Sequence, residues 1–157
     1  MSLTTGANHL ALVTADLDRL IDFYASVFDA DVVMDMVEGD LRHAMIDLGG
    51  GFALHPFHVG ENPHAETRAP MFGRGHLDHL ALNVVDTEQF ETIRRRLVER
   101  GASDGTVTDF GTVRTVTFTD PDGWEGEIAQ WQEGEPLTFE ERIQEPFAVP
   151  VGGRATQ

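Results

Sequence analysis

Two histidines and a glutamate are the side chains of this sequence best suited to chemistry. His9 sits in the phrase NHLAL, Asn8 to Leu12, and His79 sits in a near-copy, DHLAL, Asp78 to Leu82. Glu127 interrupts a run of small and apolar residues, Gly126 to Ala129. Imidazole nitrogens and a carboxylate are ligands that divalent transition metals accept. A single histidine at a strand start is ordinarily a packing or capping residue. Two at equivalent places in a duplicated unit, with a glutamate on a strand, leave metal binding and packing as competing readings. Glu125 shares strand parity with Glu127, so it reads either as a general base or as an exposed rim carboxylate. His55, on a strand of the first half, is a further candidate for ligand or acid–base work.

The elements that must position these groups come in two copies. Asn8–Asp16 (NHLALVTAD) lies over Asp78–Asp86 (DHLALNVVD) at an offset of 70, and the alternation in each reads as a half-buried strand. Each strand runs into an acidic cap and a helical pattern. In Asp16–Ala30 the apolar stripe is Leu17, Leu20, Ile21, Tyr24, Val27 and Phe28; in Asp86–Ala102 it is Phe90, Ile93, Leu97 and Val98. The run Arg94–Arg95–Arg96 reads as solvated helix surface, because consecutive helical residues fan around the axis. Tyr24 falls on the stripe and reads as core.

Three more strands follow each helix: Asp31–Val37, Leu41–Leu48 and Gly51–Phe57, then Thr106–Phe110, Thr112–Thr119 and Trp124–Trp131. The turn between the last two is DPDG, Asp120–Gly123. Residues 1–157 thus read as a single domain, with a β-α-β-β-β module over 7–58, a linker over 59–75 and a second module over 76–131. The tail, 132–157, reads as irregular apart from a short helix around Phe139–Ile143, and as a segment that wraps a partner or stays mobile. His58 and His64 fall at or in the linker, and His76 just before the second repeat.

Composition narrows the partners. The formal charge is −16, and all 11 basic residues are Arg. Such a chain repels phosphates, so nucleic acid is excluded as a natural partner, while a cationic ligand or metal ion is favoured. The plainer reading of the charge is a solvated acidic surface. There is no Cys, which removes disulfides and thiolate chemistry and fits a cytoplasmic protein. The N-terminus has no signal pattern and no run is long enough to span a membrane.

HLAL at the start of each half, the capped helix with Phe23–Tyr24, and DPDGWEGEI at Asp120–Ile128 together resemble the vicinal oxygen chelate superfamily. That family includes glyoxalase I, type I extradiol dioxygenases and bleomycin and fosfomycin resistance proteins. The resemblance covers about residues 7–131. It implies an α+β fold in which paired modules build a cup-shaped mixed sheet, a homodimer, and a small-molecule substrate. It also implies a divalent metal, Fe2+ or Mn2+ before Zn2+, Ni2+ or Co2+, held by His9, His79 and Glu127. The fourth family position has two registers. Matching Arg42 to Arg114, an offset of 72, sets His55 opposite Glu127; matching Leu54 to Ile128, an offset of 74, sets Ala53 there. The second is preferred because Leu54 and Ile128 are alike. It implies a three-ligand site like that of extradiol ring-cleaving dioxygenases. The first implies a four-ligand lyase or isomerase, and the third reading is a metal-free antibiotic-binding protein.

Overall fold

The computed structural model describes residues 7–60, 62, 77–138 and 140–148. His64, His76 and most of the 59–75 linker lie outside the described residues. The strands form two hydrogen-bonded sheets, one for each β-α-β-β-β module. Compact packing groups the described residues of 1–80 with 118–126, and those of 81–117 with those of 127–148. No helix among the described residues is long and apolar enough to cross a membrane.

The first sheet has the order β1 (His9–Val13), β4 (Ala53–Val59), β3 (Leu41–Asp47), β2 (Asp31–Glu38). It is mixed: β1 runs parallel to β4, and the other pairs are antiparallel. Helix α1 (Leu17–Phe28) starts where the Asp16 side chain accepts a bond from Arg19 N at 3.0 Å, and ends at Asp29 in the left-handed region. It packs over β2, β3 and β4. Leu17, Leu20, Phe23, Tyr24 and Val27 are buried on its side, and Ala44, Ile46, Leu54 and Pro56 on the strands. Each fully buried Leu, Ile or Phe is worth about 1.5–3 kcal/mol of apolar burial, so this side carries the module's stability. The Tyr24 hydroxyl reaches Asp120 Oδ2 at 3.5 Å. Burial first, then the Asp120 carboxylate, pushes the phenol well above its ordinary value, which fits a core role.

The aromatic side of α1 continues onto Phe118, whose ring lies 6.0 Å from Phe23 and 5.4 Å from Phe28. Gly126 makes room for it. A Cβ there would run into the Phe118 ring, so no larger residue fits without displacing that ring.

The second sheet has the order β5 (Leu80–Asn83), β8 (Glu125–Trp131), β7 (Val113–Thr119), β6 (Val107–Asp109), β9 (Ile143–Glu145). Helix α2 (Thr87–Glu99) is capped by Asp86, which accepts from Gln89 N at 2.8 Å. Two features depart from the sequence reading. The tail supplies a strand, β9, antiparallel to β6, instead of a helix reaching Ile143; Phe139 is outside the described residues. Further bonds fasten it: Gln132 N to Thr112 O at 2.9 Å and Leu137 N to Phe110 O at 2.8 Å. In addition, Arg94 is buried at 4 % exposure and is not solvated surface. Its Nε donates to Gly105 O at 2.7 Å, its Nη2 to Glu145 O at 3.2 Å, and its guanidinium lies 5.1 Å from the Phe147 ring centroid. Arg94 stands four residues after Phe90 and three before Leu97, so it occupies the buried stripe and ties the tail to α2.

Candidate functional site

The first sheet has one face covered by α1 and one open. In-register partners point to the same side. His9 pairs with Ala53, Ala11 with His55, and His43 with Phe57, so His9, His55, His43 and Phe57 share the open face. Arg42, next to His43, points to the other side, where it bonds Asp35 bidentately at 2.8 and 3.0 Å and Asp18 of α1 at 2.9 Å. The parity of β3 thus selects His43, not Arg42, for the open face.

On that face the rings form a continuous group. His9 and His55 are edge-on with centroids 5.6 Å apart. His43 Nδ1 and His55 Nε2 share a hydrogen bond of 2.9 Å. The His43 ring stacks on Phe57 at 5.3 Å with planes 2° apart, and His55 lies 4.2 Å from Phe57. Burial, then the neighbouring His43 and His9, holds the His55 imidazole below its ordinary value. This favours the neutral ring, in which one nitrogen keeps a lone pair.

The first-strand histidines are oriented alike. His9 Nδ1 donates to Asn8 Oδ1 at 2.8 Å, and His79 Nδ1 donates to Asp78 Oδ2 at 3.0 Å. Each bond fixes the tautomer that leaves the ring lone pair on Nε2. Protein metal sites use the same device, with an oxygen acceptor orienting the ligating imidazole. This chemistry fits a divalent ion. Among the described residues, no three His, Asp or Glu side chains already converge at ligand distances.

The hydrogen bonds also decide how the fourth strands correspond. Thr14 N donates to Phe57 O in the first module, and Val84 N donates to Ala129 O in the second. Thr14 and Val84 stand 70 apart in the repeat; Phe57 and Ala129 stand 72 apart. The preceding turns agree, since Leu48 N bonds Phe52 O and Asp120 N bonds Trp124 O, again 72 apart. His55 is therefore the counterpart of Glu127, and Ala53 that of Glu125. The preference for matching Leu54 to Ile128 is corrected. Leu54 corresponds to Gly126, where the Phe118 ring takes up the space.

A sequence profile described as the glyoxalase/bleomycin resistance protein/dioxygenase superfamily matches residues 6–128. The chain belongs to that superfamily. No curated protein matches this superfamily member significantly. Its fold is similar to a glyoxylase/bleomycin resistance protein/dioxygenase domain from Frankia sp. EAN1pec, with TM-score 0.68, 22 % identity, and 82 % of this chain and 99 % of that one covered. It is also similar to a fosfomycin resistance protein, FosX, from Listeria monocytogenes complexed with Mn(II) and sulfate (TM-score 0.59, 17 % identity, 88 % and 98 % covered). A third is a trypanothione-dependent glyoxalase I from Leishmania major (TM-score 0.57, 16 % identity, 81 % and 87 % covered). At these identities the likeness is one of fold.

Of the residues singled out from the superfamily pattern, His9 and His55 meet on the open face of the first sheet. Glu125 is half-buried with Oε1 shielded from solvent, so it is not the exposed rim carboxylate weighed in the sequence. Glu127 is half-buried on β8. His58 shares parity with the helix-facing residues of β4, and its Nδ1 is buried there. Three residues that bond the candidate histidines went unassigned. They are His43, Asn8 and Asp78, although an oxygen-bearing residue directly before each first-strand histidine was a readable signal.

Proposed function

We propose that this protein is a divalent-metal-dependent enzyme whose small organic substrate chelates the ion through adjacent oxygens. His9, His79 and Glu127 would hold the ion, with His55 at the fourth station. The ion would act as a Lewis acid that lowers the pKa of a bound substrate oxygen. The chain's own groups do the rest. Asn8 and Asp78 orient the two first-strand histidines. His43 and Phe57 fix the plane of the His55 ring. Glu125, on the same strand side as Glu127, is the carboxylate that would take or return a substrate proton.

A four-station set supports a lyase or isomerase of the glyoxalase or epimerase type. The observation that carries this reading is the shared 72-residue register of β4 and β8, which makes His55 the counterpart of Glu127. A ring-cleaving dioxygenase with three ligands is the second reading, favoured by the His43 bond on His55 Nε2. Loading the purified protein anaerobically with Mn2+, Fe2+, Zn2+ or Ni2+ tests both. One ion should bind per chain, and His79→Ala should abolish binding. Absence of any bound ion, with unchanged thermal stability, would sink the enzyme reading. Oxygen uptake with catechols by the Fe2+ form would replace the lyase or isomerase with the dioxygenase.

A further inference from the structure

We infer that His43 competes with a bound ion for one lone pair, that of Nε2 on His55, so that His55 is a switchable fourth ligand. The inference rests on the proposed metal site. His43 Nε2 is shielded from solvent and has no hydrogen-bond partner among the described residues. A buried N–H without an acceptor is rarer and costlier than a buried lone pair without a donor. The His43 proton therefore sits on Nδ1, and that N–H donates to His55 Nε2 across the 2.9 Å bond. His55, accepting at Nε2, then carries its own proton on Nδ1.

A ring nitrogen has a single in-plane lone pair. It can accept an N–H or bind a metal ion, but not both. His43 is not free to step aside, because its ring is stacked flat on Phe57. His9 and His79 differ on this point. Their partners take up Nδ1–H and leave Nε2 as the lone-pair atom, whereas the partner of His55 takes up Nε2 itself. Two imidazoles are thus prepared for an ion and the third is held back. The same chain has a site with three committed ligands until the fourth is released. A chelating substrate needs open positions and an empty site needs ligands, so such a switch suits the proposed chemistry.

The test begins on the metal-free protein, with long-range 1H–15N correlations of the labelled histidine rings. His43 should show the Nδ1–H tautomer and His55 an unprotonated, hydrogen-bonded Nε2. An Nε2–H tautomer at His43 would overturn the inference without touching the metal reading. The second measurement is Zn2+ and Co2+ affinity by competition with a chromophoric chelator. His43→Phe keeps the stack on Phe57 and removes the donor; it should bind about five- to tenfold more tightly, the worth of one net hydrogen bond. His43→Asn, which restores an N–H near the Nδ1 position, should return to within about twofold of wild type on the same scale. In a His55→Ala background the gain from His43→Phe should vanish. Unchanged or weaker binding by His43→Phe, with wild type still binding, would refute the competition alone. Failure of every form to bind an ion would refute the metal site and the competition with it. If His43→Phe does not fold, the tautomer measurement on wild type still decides.

Discussion

Replacing Arg94 with Ala should unfold the second module's tail before anything else. The side chain is 5 % exposed and serves two backbone carbonyls, Gly105 O at 2.7 Å and Glu145 O at 3.2 Å. Removing the donor leaves the buried Gly105 carbonyl unsatisfied, at a cost of about 1–3 kcal/mol, with a smaller cost at exposed Glu145, whose carbonyl water can reach. Loss of the guanidinium over Phe147 adds about 0.5–1 kcal/mol. The ion pairs with Glu91 and Glu145 add little, because those carboxylates are 43 % and 71 % exposed and screened by water. The sum is about 3 kcal/mol, or a fall in Tm of about 6–12 °C for a chain of this size. Urea and thermal unfolding of Arg94→Ala beside Arg95→Ala measure it. Arg95 is 59 % exposed, so its variant should stay within about 0.5 kcal/mol of wild type. Amide exchange in β9 should also accelerate in Arg94→Ala and not in Arg95→Ala. Equal stabilities for the two variants would refute the staple and restore the solvated-surface reading of the arginine run.

Other outcomes follow from the same geometry. Asp78→Ala should weaken metal binding about 10- to 100-fold, because His79 loses the acceptor that fixes its tautomer; an unchanged affinity by calorimetry would show that Asp78 does not orient a ligand. Asp120 is 3 % exposed, and burial pushes its carboxyl up to about 6, opposed by the bonds it accepts from Trp124 N and Asp122 N. Its folded pKa lies above its unfolded one, so the folded state binds more protons between about pH 4 and pH 6 and stability falls as pH rises through that window. Asp120→Asn keeps the acceptor oxygen and removes the charge, so its urea midpoint should lose that component of the decline. Identical pH profiles for the two proteins would count against a raised Asp120 pKa.

Much of the fold was legible because its signals are local and duplicated. The repeated phrase marks β1 and the strand entering β5, and Asp16 and Asp86 cap the helices as their positions suggest. The strand bounds differ from the sequence reading by no more than a few residues. The tail strand was not legible: β9 has three residues, all exposed, and three residues set no periodicity. Arg94 was misread because its charge was weighed without its place in the Phe90–Leu97 stripe. At the site, the sequence singled out His9, His55 and His79 individually, but the His43–His55 bond depends on β3 and β4 lying in register. That pairing joins residues twelve apart, and only the strand register exposes it.

The register of the fourth strands shows why similarity of residue type misleads. Leu54 and Ile128 are alike, yet a strand position is defined by its neighbours and not by its name. In the first module the pair across the strands is Ile46 and Leu54, both of middle size. At the 72-residue offset the second module has Phe118 and Gly126, one large and one with no side chain. The two pairs fill comparable space by different divisions of volume, and close packing selects on that total. Once this exchange sets the register, the chemical divergence of the copies is plain. Asn8, Ala53 and His55 correspond to Asp78, Glu125 and Glu127, so three uncharged stations face three carboxylates in the comparison. On the proposed reading, the first module gives an ion neutral imidazoles with one of them held in reserve. The second gives it charge and the base. The repeat supplies the frame, and on that same reading the unequal residues at equal stations would supply the chemistry.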